Sequence, residues 1–242
     1  MYARMDKRAK IYLSMCDESG RLSIPGLFTL FIDAAGEHGT EIGLGLEDLA
    51  KKGLFWLAVK TKIQLSERPA LLDEVTLSTW PEEPGRVGCI RYYALTAKER
   101  QLAVGKTEWA MIHKESGKLT KLAEVYPEGL VHCPEKSCEA PFLRPGKDFA
   151  DGEEVGRYTV RSTDIDLGHH MNNAAYIRML FGTFSCAELA ARPIREVEIA
   201  YRKECREGEE LTVRRKVTES GWELAVIKPT GETAATAHIV FA

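Results

Sequence analysis

Leu27-Phe28-Thr29-Leu30-Phe31-Ile32-Asp33-Ala34-Ala35-Gly36-Glu37-His38-Gly39-Thr40 is the stretch that decides the fold class. It is apolar or small on most sides, which is the composition of a helix buried nearly all round. Ala34, Ala35 and Gly36 leave room for a sheet to come close to its backbone. Strand-like segments follow. Leu57, Val59, Thr61, Ile63 and Leu65 alternate with Ala58, Lys60, Lys62 and Gln64 at period two, and Val75, Leu77 and Thr79 alternate with Glu74, Thr76 and Ser78. Residues 87–97 and 102–113 are rich in aromatic and β-branched side chains and flank the charged turn Lys98-Glu99-Arg100. A further turn falls at Glu115-Ser116-Gly117-Lys118.

The same plan is then written again. Tyr176, Met179, Leu180, Thr183 and Ala187 share helical spacing, which predicts a helix over 173–190. Strands are predicted over 196–204, 210–218, 222–228 and 233–242, with turns at Ser220-Gly221 and Thr230-Gly231-Glu232. Between the copies lies 133–146, with Pro134, Pro141 and Pro145, which reads as a linker between domains 1–132 and 147–242. One helix followed by antiparallel strands, twice over, is an α+β pattern. A long buried helix wrapped by a curved antiparallel β-sheet is the hotdog arrangement. Two copies in one chain predict a tandem (double) hotdog that imitates a homodimer.

The chain has 242 residues, 44% of them hydrophobic, enough for one large or two small cores. A net charge of -3 offers no basic field for nucleic acid. No apolar run approaches the roughly 20 residues of a membrane span. The segment Met1 to Ala9 is charged and precedes no hydrophobic signal, so a cytoplasmic protein is the expectation. The six cysteines then read as reduced thiols. His132-Cys133 and Cys138 are too loosely spaced for a zinc corner, so no metal is expected.

Chemistry concentrates in Asp164-Ile165-Asp166-Leu167-Gly168-His169-His170-Met171-Asn172-Asn173. A carboxylate near an imidazole equips a site for general-base work near neutral pH. A helix starting directly behind it presents backbone N–H groups to a developing oxyanion. The combination points to acyl transfer or hydrolysis. His170 is the candidate base and Asp166 its candidate partner. Asp164 reads as a turn residue, and Asn172 and Asn173 sit where a helix cap is expected and where the first amides face the substrate, so they are also candidate substrate-binding residues. Glu204 shares a strand face with Glu198, Ala200 and Arg202, opposite Val197, Ile199 and Tyr201. Regular parity therefore points it away from the core, and a bulge near Lys203 would reverse that.

These motifs resemble the acyl-acyl carrier protein (acyl-ACP) thioesterases of plants and bacteria. The family pattern Asp-x-Asp-x-Asn-x-His-x-Asn-Asn followed by Tyr-Ile is matched here by Asp164, Asp166, Gly168, His170, Asn172, Asn173 and Tyr176-Ile177. The strand ending Glu-Tyr-Arg-Arg-Glu-Cys is matched by Ala200-Tyr201-Arg202-Lys203-Glu204-Cys205. Phe55-Trp56, Asp73 to Trp80 and Trp109 to Lys121 carry the likeness into the first half.

The resemblance implies a catalytic set of Asp166, His170 and Glu204, and no metal or cofactor. It implies an acyl pocket lined from the first half, in the region of Phe28, Phe31, Ile32 and Trp56. The expected substrate is a fatty acyl thioester on acyl carrier protein, with acyl-CoA as the rival carrier, a non-catalytic acyl-binding hotdog as the rival class, and hydration or dehydration of acyl thioesters as the third reading. A further homodimer is possible. Cys205 matches a cysteine once read as a nucleophile, but a neighbouring carboxylate would raise its pKa, which favours water as the attacking group. Gly168 replaces the family's asparagine. Backbone freedom in a tight turn is one use for it, and His169 is a candidate donor of the lost hydrogen bond. Arg192, Arg195, Arg202, Lys203, Arg206, Arg214, Arg215 and Lys216 suit docking of an acidic carrier, although Glu196, Glu198, Glu207, Glu209 and Glu210 are interleaved with them.

Overall fold

The computed structural model describes residues 3–144, 146 and 148–242. Pro145, one of the three linker prolines, lies outside the described residues, as do Met1 and Tyr2. The chain divides into two compact units, Met1–Ala140 and Pro141–Ala242, with the boundary inside the proline-bearing stretch.

Unit 1 runs β1 (Met5–Lys10), α1 (Ile24–Glu41), α2 (Leu46–Lys51), β2 (Leu54–Leu65), β3 (Glu74–Pro81), β4 (Gly88–Ala97) and β5 (Arg100–His113). Its strands pair antiparallel in the order β1-β3-β4-β5-β2. Unit 2 runs β6 (Glu153–Thr159), α3 (Asn173–Phe181), α4 (Cys186–Ala191), β7 (Ile194–Tyr201), β8 (Glu210–Val217), β9 (Gly221–Ile227) and β10 (Thr233–Phe241). Its order is β6-β8-β9-β10-β7, the same plan. The fold is a tandem hotdog of the α+β class. The sequence reading misses β1 and β6. Each is rich in charge (Asp6, Lys7, Arg8 and Lys10; Glu153, Glu154 and Arg157), as strands with little core to face tend to be.

Helix α1 starts where Ser23 Oγ accepts the Gly26 N–H at 3.0 Å and Pro25 occupies the first turn. It buries Leu27, Phe28, Phe31, Ala34, Ala35 and His38, and exposes Thr29, Asp33, Gly36, Glu37 and Thr40. The helix is therefore buried along one side, not all round. A Cβ on Gly36 would meet nothing within 4 Å, so Gly36 is not where the sheet comes close. That place is Gly105 on β5, where a Cβ would lie 3.0 Å from the Phe31 ring. Phe31 also stacks on Tyr93, with centroids 4.8 Å apart. Near the end of α1, the buried His38 Nδ1 lies 2.8 Å from an Arg91 nitrogen, and burial followed by the Arg91 charge pushes the imidazole pKa down to about 4.

The helix expected over 173–190 is two helices. Gly182 closes α3 with its N–H on Arg178 O at 2.9 Å, and Ser185 opens α4 through a reciprocal capping box with Glu188. Periodicity carried across the gap hid a stop and a start that Gly182 and Ser185-x-x-Glu188 both signal. The first end of the proline-bearing stretch packs on unit 1. Cys133 and Cys138 are buried against Trp80 and Tyr92, Trp80 Nε1 donates to Glu135 O at 2.8 Å, and Ser137 Oγ donates to Tyr93 O at 2.9 Å. Pro134 and Pro141 themselves stay exposed, and the segment packs through the two cysteines.

Candidate active site

The loop ahead of α3 is held almost entirely by backbone. Ile165 and Met171 form an isolated bridge, Asp166 N–H donates to His170 O at 2.9 Å, and His169 N–H donates to Asp166 O at 3.0 Å. Asp166 Oδ1 accepts the Gly168 N–H at 2.7 Å, an Asx turn. Asn172 is the N-cap of α3, its Oδ1 accepting from Ala174 N–H at 2.8 Å. The amides of Ala175 and Tyr176 bond to Asn172 O at 2.9 and 3.4 Å, so Asn173 N–H is the first-turn amide outside this set. Asp164 is structural. It is 4% exposed, accepts from Tyr158 OH at 2.7 Å and Arg161 N–H at 2.8 Å, and lies 3.5 Å from Arg178.

Glu204 reaches this loop through a bulge. Strand β7 ends at Tyr201, and the successive N–H groups of Arg202 and Lys203 both donate to Ala234 O, at 2.8 and 3.1 Å. Two residues stand against one, so strand parity breaks there. The Glu204 carboxylate then lies 2.8 Å from His170 Nε2. The side chains are 35% and 49% exposed, open enough for substrate and water to reach. An ionised carboxylate only accepts, so in the neutral ring Nε2 carries the proton and Nδ1 the free lone pair. Glu204 is thus the group bonded to the ring, while Asp166 braces the loop. Arg206 holds the other Glu204 oxygen at 2.8 Å.

Cys205 is fully buried, and Met171 N–H donates to its carbonyl at 2.8 Å. Burial raises its thiol pKa more than any other influence, with Tyr176 and Lys228 opposing and Glu209 reinforcing. A thiol held protonated is a poor nucleophile.

Unit 1 repeats this construction with different side chains. Cys16 and Leu22 form the corresponding bridge, Asp17 N–H donates to Arg21 O at 2.9 Å, Gly20 N–H to Asp17 O at 3.0 Å, and Ser19 N–H to Asp17 Oδ1 at 3.0 Å. Ser23 caps α1 as Asn172 caps α3. Ser66 and Glu67 N–H both donate to Leu102 O, at 2.8 and 3.0 Å, repeating the bulge, and Leu22 N–H donates to Pro69 O as Met171 does to Cys205 O. Asp17, Arg21 and Arg68 therefore stand where unit 2 has Asp166, His170 and Glu204. Arg68 closes an ion pair on Asp17, so this copy keeps the scaffold without an imidazole. An aspartate six residues before each cap, Asp17 before Ser23 and Asp166 before Asn172, is the sequence signal of the duplication.

The copy also settles the backbone around Gly168. The left-handed residue of the loop is His169, at φ 63°, matched in unit 1 by Gly20 at φ 68°. Gly168 corresponds to Ser19, so a turn requirement for glycine at 168 is not what the structure contains. Gly168→Ala is expected to leave the melting temperature almost unchanged. His169→Gly should stabilise the fold by up to about 1 kcal/mol by relieving a left-handed side chain. Thermal melts of the two variants check this ordering.

The expected pocket residues of unit 1 fall in two places. Phe28 and Phe31 are buried under α1, and Ile32 sits at its margin. Trp56 lies in a separate cluster with Ile42, Leu44, Leu49, Leu54 and Met111, its Nε1 donating to Leu44 O at 3.2 Å. In unit 2 a cavity of about 190 Å³ is lined by Phe149, Glu198, Thr236 and His238 and by none of Asp166, His170 or Glu204. Among the described residues no group of three or more His, Cys, Asp or Glu is arranged to hold a metal ion, none of the six cysteines is in a disulfide, and no helix is long and apolar enough to cross a membrane.

The basic side chains of unit 2 that suit an acidic carrier are largely engaged. Lys203 pairs with Glu232 at 3.3 Å, Arg215 with Glu153 at 2.8 Å and Glu188 at 3.4 Å, and Lys216 with Asp151. Arg214 donates to Ala150 O at 2.6 Å, and Arg192 lies over the Trp222 ring at 5.1 Å. Arg195 and Arg202 are exposed.

Comparison with known proteins gives a consistent result. Residues 3–129 match the family model of the acyl-ACP thioesterase N-terminal domain, and residues 148–242 that of the C-terminal domain. An oleoyl-acyl carrier protein thioesterase of Coriandrum sativum, chloroplastic, is 24% identical over 215 residues, covering 80% of this chain and 58% of the relative. A palmitoyl-acyl carrier protein thioesterase of Gossypium hirsutum, also chloroplastic, is 24% identical over 200 residues, covering 80% and 48%. The chain thus spans about half the length of the curated relatives it matches. The crystal structure of an acyl-ACP thioesterase from Bacteroides thetaiotaomicron superposes with a TM-score of 0.86 at 23% identity, covering 99% of this chain and 98% of the other. The 12:0-ACP thioesterase of Umbellularia californica gives 0.83 at 18% identity, covering 99% and 97%. At these identities the superpositions establish the fold.

Proposed function

The chain belongs to the acyl-ACP thioesterase family, and on that premise we propose that it hydrolyses fatty acyl thioesters of acyl carrier protein to free fatty acid and carrier. The observation that carries the reading is the 2.8 Å contact between His170 Nε2 and Glu204, which leaves Nδ1 as the base. His170 Nδ1 takes a proton from water, and the resulting hydroxide adds to the thioester carbonyl. Asn173 N–H, at the positive end of α3, faces the tetrahedral oxyanion. Collapse expels the carrier thiolate, which takes the proton back from the imidazolium. Glu204 fixes the ring tautomer and supports its charged form, and Asp166 keeps the loop in register. A thioester is already an activated acyl group, so the scheme needs no metal or cofactor.

In this reading the acyl pocket belongs to unit 1, with Phe28, Phe31 and Ile32 as one candidate lining and the separate Trp56 cluster as the other. The partner is an acidic, water-soluble carrier in the cytoplasm. Arg202, exposed and two residues from Glu204, is the cation best placed to meet it, whereas Arg195 stands at the far end of β7. The test is thiol release from a series of acyl-ACP thioesters of graded chain length, run beside the matching acyl-CoA esters. Turnover on the carrier that exceeds turnover on CoA supports the proposal. Turnover on CoA alone makes the rival carrier the substrate, and a double-bonded product with no free thiol makes the chemistry a dehydration.

Cys205 gives a second check. Its raised pKa and full burial leave water as the nucleophile, so Cys205→Ala should keep activity within roughly ten-fold of the parent. The comparison is steady-state kcat on the preferred acyl-ACP, with circular dichroism to confirm folding.

A further inference from the structure

We propose that Lys228 is a positioning residue that sets the His170–Glu204 pair through the backbone of Glu204; the inference rests on the hydrolytic reading of that pair. Lys228 follows β9 and has a side chain only 12% exposed. Its Nζ donates to Glu204 O at 2.6 Å and pairs with Glu209 at 3.2 Å. The other Glu209 oxygen accepts the Arg206 N–H at 3.2 Å. Lysine and glutamate together therefore close the segment 204–209, while Met171 N–H holds the next carbonyl, that of Cys205, at 2.8 Å. One ammonium shared between the Glu204 carbonyl and the Glu209 carboxylate makes a charge-assisted contact that holds the carbonyl in place.

The duplicated scaffold explains why this anchor comes from a distant strand. In unit 1 the carbonyl of Arg68, which stands where Glu204 does, is held at 2.8 Å by Arg21, a residue of the loop itself. In unit 2 the place of Arg21 is taken by His170, whose ring is committed to the Glu204 carboxylate. The carbonyl then needs another donor, and Lys228 provides it. Without that donor the bulged segment after Tyr201 keeps its two bonds to Ala234 but loses the one that fixes the residue carrying the carboxylate. Small misplacements of a reacting group cost rate out of proportion to binding.

The expectation is a fall of roughly ten-fold or more in kcat for Lys228→Met, with KM within about two-fold, and recovery of most of the loss in Lys228→Arg, which keeps a donor in place. The deciding measurement is a double-mutant cycle with Glu204→Gln on acyl-ACP. If Lys228 acts through Glu204, Lys228→Met costs little further once the carboxylate is gone. Additive losses in the cycle, or a Lys228→Met enzyme with parental kcat, overturn the proposal. If Lys228→Met does not fold, Lys228→Ala, which also removes the donor but lets water into its place, carries the same cycle. A Glu204→Gln enzyme with parental kcat would sink the hydrolytic reading itself, an outcome distinct from additivity.

Discussion

His170→Ala is expected to lower kcat by about 10²–10⁴-fold while the protein stays folded. The magnitude follows from losing the only nitrogen in the loop with a free lone pair aimed by a carboxylate. The structural tolerance follows from how the loop is held. His170 contributes its backbone carbonyl to Asp166, and alanine keeps that bond. The ring is 35% exposed, so its removal opens no core cavity. Activity on acyl-ACP, read beside a thermal melt, separates the two effects. A folded variant with near-parental turnover would remove His170 from the mechanism.

Glu204→Gln carries the second largest expected effect, a loss of roughly 10²–10³-fold in kcat with little change in KM. The replacement is nearly isosteric, so the bulge and the Ala234 bonds survive. Its amide can donate to Nε2, which moves the ring proton to Nδ1 and removes the base. It also leaves a developing imidazolium without its counter-charge. Asp166→Asn should behave differently. Its side-chain oxygen still accepts the Gly168 N–H, so the Asx turn persists, and the loss should be smaller than for Glu204→Gln. Reversal of that order would make Asp166 the imidazole partner.

Much of the fold was legible because period-two strands and apolar helical spacing are local properties. The repeat of helix and strands was visible for the same reason, as were the Asp, His and Asn residues at fixed offsets before the second helix. What stayed hidden depended on partners distant in sequence. The one-sided burial of α1 turns on Gly105 and Tyr93, neither of which is near it in the chain. Glu204 could not be aimed from its own strand, because the bulge exists only as two amides sharing the Ala234 carbonyl. His169 was missed as the left-handed residue because glycine stood beside it and drew the assignment. Lys228 read as an ordinary strand end. Its meaning came from the carbonyl it holds, and from the finding that Arg21 does the same work in the first copy.

In the proposed mechanism unit 2 carries out hydrolysis directly, with water attacking the carrier-bound thioester. The most direct test is a single-turnover reaction with acyl-ACP, quenched at intervals and read by intact-mass spectrometry of both proteins. With water as the nucleophile, the carrier falls in mass from the acylated to the free-thiol form, fatty acid appears in step, and the thioesterase keeps its own mass throughout. An acyl adduct on the thioesterase that forms and decays at the rate of turnover, or an acyl-ACP left intact, would contradict that mechanism.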